Sequence, residues 1–233
     1  MQIDESDLWT ASVSDAVEVD ISIREQFLRE GYSVVRNVFE KQLVSNLCAT
    51  FVSDYEYRFD QELSADMLLV GNGRKTFEVH VSGIFNHDQI YANQKIYPLM
   101  NSLLGDYFIV GSYGAVTSLP GALKQHVHYD HPPLFAESNP EGIHQKIPPY
   151  GVHCFIPLVD INEQNGRTRI WPGSHHLPVS SKSNLINKGE YVEEDLQQGD
   201  CLLMDYRTLH AGLENNSSEI RPLLYLIYQR GWF

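Results

Sequence analysis

Three residues of the chain have the types and spacing to bind one divalent metal ion: His128, Asp130 and His210. His128 and Asp130 are separated by one residue, and in an extended strand the side chains at i and i+2 lie on the same face. Two imidazoles and one carboxylate on one side of a metal leave three coordination positions open, as in the facial triad of non-heme iron(II) oxygenases. A His-x-Asp tripeptide alone is weak evidence in a chain with ten histidines. The triad is therefore a hypothesis that depends on its context.

Arg221 is the second residue that could do chemistry. It follows His210 by 11 residues and directly precedes the apolar run 222–230. A buried arginine is costly unless it pairs with an anion. Its guanidinium could hold a ligand carboxylate through two parallel hydrogen bonds. The alternative partner is an acidic side chain of the protein, such as Asp205 or Glu219, and the residues alone leave both interpretations open.

The elements that must position these residues are helices first and short strands afterwards. Apolar spacing predicts helices over 21–30, 40–52 and 97–104, with a strand over Tyr32–Val35, and alternation predicts a strand over 73–81. The remaining β-type runs are separated by Gly, Pro and Asn and cover 107–118, 122–130, 151–159, 168–171, 191–193, 200–206 and 222–230. This order predicts an α+β fold with a jelly-roll, cupin-like barrel and N-terminal helices packed on one sheet.

The length of the chain fits a single domain over residues 1–233, large enough for a core and a small-molecule pocket. Residues 1–20 form an acidic lead-in segment. The segment 131–150 contains five prolines and follows the first two proposed ligands directly. Long loops inside compact domains are often functional, so we expect an active-site loop here.

Composition restricts the partners and the compartment. A net charge of −13 argues against nucleic acid or an anionic membrane as a partner. The acidic start does not have the pattern of a signal peptide, and no apolar run approaches the ~20 residues that span a bilayer. The three cysteines are scattered, which predicts a reducing cytoplasm. We expect a small-molecule substrate and leave a homodimer open.

The motifs, taken in order, resemble those of the phytanoyl-CoA dioxygenase family. They are HYD at 128–130, NGRTRIWPGSHH at 165–176, GDCLLMDYRTLHAGLENNS at 199–217, and then Arg221. The stretch FLREGYSVVRNVFEKQLVSNL is similar to the opening helix, strand and helix of that family. The resemblance runs from about residue 25 to 230. Within the second motif, His175 and His176 are expected to be exposed loop residues rather than metal ligands.

The resemblance implies a double-stranded β-helix and a set of roles. His128, Asp130 and His210 would bind Fe(II), Arg221 would hold the distal carboxylate of 2-oxoglutarate, and O2 would take the remaining position. The implied reaction oxidises a C–H bond of a small-molecule metabolite, most simply by hydroxylation, and releases succinate and CO2. Related halogenases have a small residue in place of the carboxylate ligand. Because Asp130 is present, hydroxylation or another hydrogen-abstraction outcome is favoured.

Strand alternation and the resemblance add further pocket candidates. The family often has an aromatic residue beside 2-oxoglutarate at the position of Phe155. Alternation adds Lys124 and His126 beside His128, His153 beside Phe155, and Leu223 and Tyr225 beside Arg221. Phe155, Leu223 and Tyr225 could equally be core residues, and His126 could make an ordinary loop hydrogen bond.

Two other functions remain as alternatives: a non-catalytic metal-binding module, and a cupin-like enzyme that does not use 2-oxoglutarate. Arg221 argues against the second, because such an enzyme needs no clamp for a distal carboxylate. The triad argues against the first, because a structural metal site gains nothing from open positions. Nothing in the sequence recognisably binds a coenzyme A thioester, so that substrate is not carried over from the family.

Overall fold

The computed structural model describes residues 19–60, 67–68, 70–131, 134 and 143–233. Nearly all of the predicted lead-in segment and half of the predicted active-site loop lie outside the described residues. The single domain over 1–233 stays a prediction. Within the described part of the chain, no helix is long and apolar enough to cross a membrane.

Helices precede most of the strands, as the sequence predicts. The helices are α1 (Ile21–Glu30), α2 (Lys41–Tyr55), α3 (Asp88–Tyr91), α4 (Ile96–Leu104), α5 (Ile143–Lys146) and α6 (Lys182–Lys188). The strands are β1 (Tyr32–Val35), β2 (Met67–Leu68), β3 (Arg74–Glu78), β4 (Phe108–Ser118), β5 (Gly151–Pro157), β6 (Thr168–Ile170), β7 (Val192–Glu193), β8 (Cys201–Asp205), β9 (His210–Gly212) and β10 (Arg221–Arg230). The predicted positions of α1, α2, α4 and β1 are confirmed.

The strands form two antiparallel sheets. The larger has the order β1-β8-β5-β10-β4-β3-β2, and the smaller has the order β7-β6-β9. The α+β class is thus confirmed. The strands of the described residues form two open sheets and no closed barrel, so the jelly-roll, cupin-like barrel stays a prediction. The predicted strand 122–130 is wrong, since the segment forms no continuous strand and only His128 makes a β-bridge, with His210 of β9.

Helices α1, α2 and α4 cover one face of the larger sheet. Phe27 of α1 and Leu47 and Phe51 of α2 are fully buried in one cluster with Leu224 and Leu226 of β10. Side chains alternate between the two faces of a strand, so the neighbouring odd-numbered residues of β10 point away from the helices. The other face of the sheet is therefore free to form a pocket.

The end of α1 contacts the NGRTRIWPGSHH motif at 165–176. Gly31 terminates the helix in the left-handed conformation, with φ 80°. The carbonyl oxygen of Leu28 lies 3.2 Å from His175 Nε2 and 2.9 Å from His176 Nε2, so these rings contact the last turn, whose carbonyls lack helical partners. The prediction of exposed loop residues is wrong, since His175 is buried and His176 half-buried. Burial lowers the pKa of His175 to about 4.

Gly31→Ala is expected to destabilise the protein more than Gly189→Ala. A Cβ at Gly31 would lie 2.4 Å from Thr208 Oγ1 and 2.5 Å from His175 Nδ1, whereas Gly189 has nothing within 4 Å. Both glycines have positive φ, so the control carries only the backbone strain, about 1 kcal/mol. Overpacking should add about 1–3 kcal/mol at Gly31. Urea unfolding measures both, and equal losses would contradict the close packing.

Candidate functional site

A cavity of about 460 Å³ lies between the two sheets. Strands β3, β4, β5 and β10 of the larger sheet contribute Thr76, Val116, Phe155, Arg221, Leu223, Tyr225 and Ile227 to its lining. Strands β6 and β9 of the smaller sheet contribute Thr168, His210 and Gly212. The volume is within the range of small-molecule pockets, about 300–1,000 Å³.

The three candidate metal ligands converge at one side of this cavity. His128, Asp130 and His210 each offer one ligand atom, and these atoms lie within 4.8 Å of one another. His128 Nε2 is 3.8 Å from Asp130 Oδ1, and His210 Nε2 is 3.6 Å from Asp130 Oδ2. The bridge between the HYD segment and β9 brings together two histidines that are 82 residues apart in the sequence. The donor set of two imidazoles and one carboxylate suits a divalent transition metal.

Backbone carbonyls orient both imidazoles. His128 Nδ1 lies 2.9 Å from the carbonyl oxygen of His126, and His210 Nδ1 lies 3.0 Å from that of Thr208. A carbonyl accepts, so each Nδ1 carries the proton and each Nε2 keeps its lone pair for a metal. Burial, reinforced by the His210 imidazole, lowers the pKa of His128 to about 4. His128 is therefore neutral near pH 7, the form that a metal requires.

Asp130 is surrounded by imidazoles. Burial raises the pKa of its carboxyl group, but the rings of His210, His153 and His128 outweigh that effect, and the pKa lies well below its usual range. The closest of these contacts is with His153, whose Nδ1 lies 2.8 Å from Asp130 Oδ2. Asp130 is thus an ionised ligand at neutral pH.

Arg221 is a buried cation with free donors. Its Nε and Nη1 atoms are buried and make no hydrogen bond, and the residue is only 2% exposed. Burial and the nearby Arg74 lower its pKa to about 10. Asp205, one of the alternative partners, pairs with Arg207 at 2.7 Å. No carboxylate of the described residues contributes to the environment of Arg221, so it is available to an anion that enters the cavity.

The register of the larger sheet places Arg74 beside Arg221. Both residues are paired with Ser118 of β4, one from β3 and one from β10, so the three share one face of the sheet. Arg74 donates from Nη1 to the carbonyl of Leu123 and from Nη2 to that of Leu213. The Arg74 guanidinium is close enough to Arg221 to contribute to the lowering of the Arg221 pKa.

The cavity includes most of the predicted pocket residues but not all. His153, Phe155, Leu223 and Tyr225 line it, as alternation along β5 and β10 predicts. Lys124 and His126 are exposed and lie outside this lining, so the structure does not bring them to the cavity and their role toward a substrate stays a prediction.

Lys124 and His126 point away from the cavity because the segment 125–128 has one extra residue between its two contacts with β9. Gln125 N bonds to Gly212 O and His128 N bonds to His210 O, so three residue steps on one side match two on the other. Such a bulge shifts the alternation by one residue. Gln125 faces the cavity instead, and its side chain accepts from Gly212 N at 2.8 Å.

Several cavity residues were not predicted from the sequence. These are Val70, Thr76, Val116, Gln125, His131, Thr168, Tyr206, Gly212, Ile227 and Phe233. The alternation of β10 contained the signal for Ile227, which shares the face of Leu223 and Tyr225. The position of Thr168, in the NGRTR motif and at the start of the predicted strand 168–171, was a weaker signal. The others depend on sheet register and loop contacts, which periodicity does not encode.

A family model described as phytanoyl-CoA dioxygenase (PhyH) matches residues 27–223. Among curated proteins, the iron/alpha-ketoglutarate-dependent dioxygenase ausO of Aspergillus calidoustus is 28% identical over 193 residues, which cover 77% of this chain. The chain spans 59% of the length of that relative, and 48% or less of the other curated relatives compared.

Solved structures share the fold at low identity. AviO1 from Streptomyces viridochromogenes Tue57 superposes with a TM-score of 0.68 at 18% identity, covering 91% of this chain and 95% of that one. The epimerase SnoN in complex with Fe3+, alpha ketoglutarate and nogalamycin RO has a TM-score of 0.64 at 18% identity, covering 90% and 83%. These likenesses concern the architecture.

Proposed function

The chain belongs to the phytanoyl-CoA dioxygenase family, and from this premise we propose that it is an Fe(II)- and 2-oxoglutarate-dependent dioxygenase acting on a small molecule. One observation carries the proposal: a triad of metal ligands and an unpaired, buried guanidinium line the same cavity. The relatives of the chain, which include iron/alpha-ketoglutarate-dependent dioxygenases, support the same cofactors.

His128, Asp130 and His210 are the residues that would hold the iron. The two Nε2 atoms and the carboxylate face one another, and the protonated Nδ1 atoms are already bonded to carbonyls. When bound, Fe(II) would activate O2, which is the oxidant of the reaction. The residues of the chain contribute the geometry and the neutral, lone-pair-bearing imidazoles.

Arg221 would hold the distal carboxylate of 2-oxoglutarate. Its pKa, lowered to about 10, means that burial and the nearby Arg74 together disfavour the cation by about 3 kcal/mol. A carboxylate bound in a bidentate fork would offset that penalty. Arg74 adds positive charge beside it, and Phe155 would pack against the carbon chain of the cosubstrate.

The other end of the cavity favours an apolar substrate. Its lining includes Tyr206, Tyr225, Ile227, Phe233 and His131, and none of these carries a permanent charge. A largely uncharged small molecule fits such a wall, whereas nucleic acid or a membrane surface does not suit the acidic chain. Because the three cysteines are scattered along the chain, we also propose that the enzyme works in a reducing cytoplasm.

Hydroxylation is the outcome that we propose among the hydrogen-abstraction reactions. The presence of Asp130 retains the full set of three ligands and argues against halogenation. Because a structural neighbour is named an epimerase, the shared fold does not select one outcome. We further propose that the two facing sheets are the halves of a double-stranded β-helix.

Calorimetric titration under argon tests the cosubstrate, with Mn(II) as the redox-stable metal. We expect 2-oxoglutarate to bind only when Mn(II) is present. Pyruvate, which has the keto acid but no distal carboxylate, should bind about 10–150-fold more weakly, the range for a lost hydrogen bond to a charged group. Equal affinity for the two keto acids would contradict the role of Arg221, and no binding of either would contradict the proposed function.

A further inference from the structure

His153 is the imidazole closest to the carboxylate of the triad, although it is not a member of the triad. It lies on β5, opposite Met204 of β8 and Ile227 of β10, and is 7% exposed. Its Nδ1 lies 2.8 Å from Asp130 Oδ2. Of the two triad imidazoles, His210 is 3.6 Å from the same oxygen.

Aromatic neighbours hold the plane of the His153 ring. Tyr206 packs at 4.9 Å with an interplanar angle of 80°, and Phe155 packs at 4.8 Å with an angle of 63°. Edge-to-face contacts of this kind favour one ring orientation. The distance from Nδ1 to Asp130 Oδ2 is short, but the N–H···O angle is too far from linear for a regular hydrogen bond, and Nδ1 has no other hydrogen-bond partner among the described atoms. A buried polar atom in this position needs a partner, and the carboxylate is within reach.

The other two ligands of the triad already have partners behind them. His128 is fixed by the carbonyl of His126 and His210 by that of Thr208. Such outer partners orient metal ligands, and their loss typically costs about 10–100-fold in metal affinity or activity. Among the described residues, His153 is the side chain placed to do the same for Asp130.

We propose that His153 is a positioning residue of the metal centre, which donates its Nδ1–H to Asp130 Oδ2 and leaves Oδ1 as the one oxygen offered to the metal. The inference rests on the proposed function, because it assumes that the triad binds a metal. A carboxylate that bound through both oxygens would occupy one more coordination position. His153 thereby keeps three coordination positions open for 2-oxoglutarate and O2. A small rotation of the Asp130 carboxylate would make the hydrogen bond from His153 Nδ1 more nearly linear.

Co(II) binding tests this role without turnover. His153→Leu removes the donor and retains an apolar side chain, whereas His153→Asn retains an N–H group near the position of Nδ1. We expect His153→Leu to raise the Kd for Co(II) about 10–100-fold and to change the visible absorption of bound Co(II), which reports coordination number. His153→Asn should restore both properties to nearly the wild-type values.

His126→Asn is the matched control. The His126 ring lies 5.2 Å from that of His128, but it is exposed and makes no described contact with Asp130. Wild-type Kd and spectrum in a folded His153→Leu protein would overturn the proposal, as would equal losses in His153→Leu and His153→Asn, since packing would then explain both. Wild-type protein that binds Co(II) but forms no succinate would contradict the proposed function while leaving the positioning role intact.

Discussion

His210→Ala is expected to abolish iron-dependent formation of succinate from 2-oxoglutarate while the protein stays folded. His210 Nε2 lies 3.6 Å from Asp130 Oδ2 and has no role in the helix-packed core. Removing a metal ligand should cost more than losing its outer partner, so we expect a loss above about 100-fold. Chromatography measures the succinate that the variant forms, and circular dichroism checks that the variant is folded.

His126→Ala provides the control for this substitution. It removes an imidazole from the same region, but one that is exposed and outside the cavity. We expect its turnover to equal that of the wild type. Turnover retained by His210→Ala would remove this residue from the triad, and loss in both variants alike would point to a general disturbance of the HYD segment.

Arg221→Ala is expected to raise the apparent KM for 2-oxoglutarate far more than it alters the affinity for iron. Losing one partner of a desolvated charge pair costs about 2–5 kcal/mol, which is roughly a 30- to 5,000-fold increase. Arg230→Ala is the matched control on the same strand, since Arg230 bonds to the carbonyls of Pro149 and Leu103 and lies outside the cavity. Its KM should be unchanged.

The stability of Arg221→Met separates a ligand clamp from a structural ion pair. Arg221 is buried beside Arg74 without a described acidic partner. Replacing an uncompensated buried cation with an apolar side chain of similar length should leave the free energy of unfolding unchanged or raise it. A fall of several kcal/mol together with an unchanged KM would show that Arg221 pairs within the protein.

The site was largely predictable because its ligands belong to short, regular patterns. The i, i+2 spacing of His128 and Asp130 and the start of β10 at Arg221 follow from local sequence. The alternation of β5 and β10 brought His153 and Tyr225 into the cavity as predicted.

The errors arose where long-range pairing overrides local pattern. The extra residue opposite β9 turns Gln125 inward and His126 outward, and single-sequence alternation cannot register a bulge. Arg74 reaches Arg221 only because both pair with Ser118. The contact between His153 and Asp130 joins β5 to a loop, so it too depends on the assembled sheets.

Succinate formation from 2-oxoglutarate, with Fe(II) and ascorbate under air, tests the central claim most directly when wild type and Asp130→Ala are compared. Slow turnover without a substrate is sufficient, so the oxidised metabolite need not be known. The account predicts succinate from the wild type and none from the variant. Equal succinate from both, or none from folded, iron-loaded wild type supplied with a panel of apolar metabolites, would contradict it.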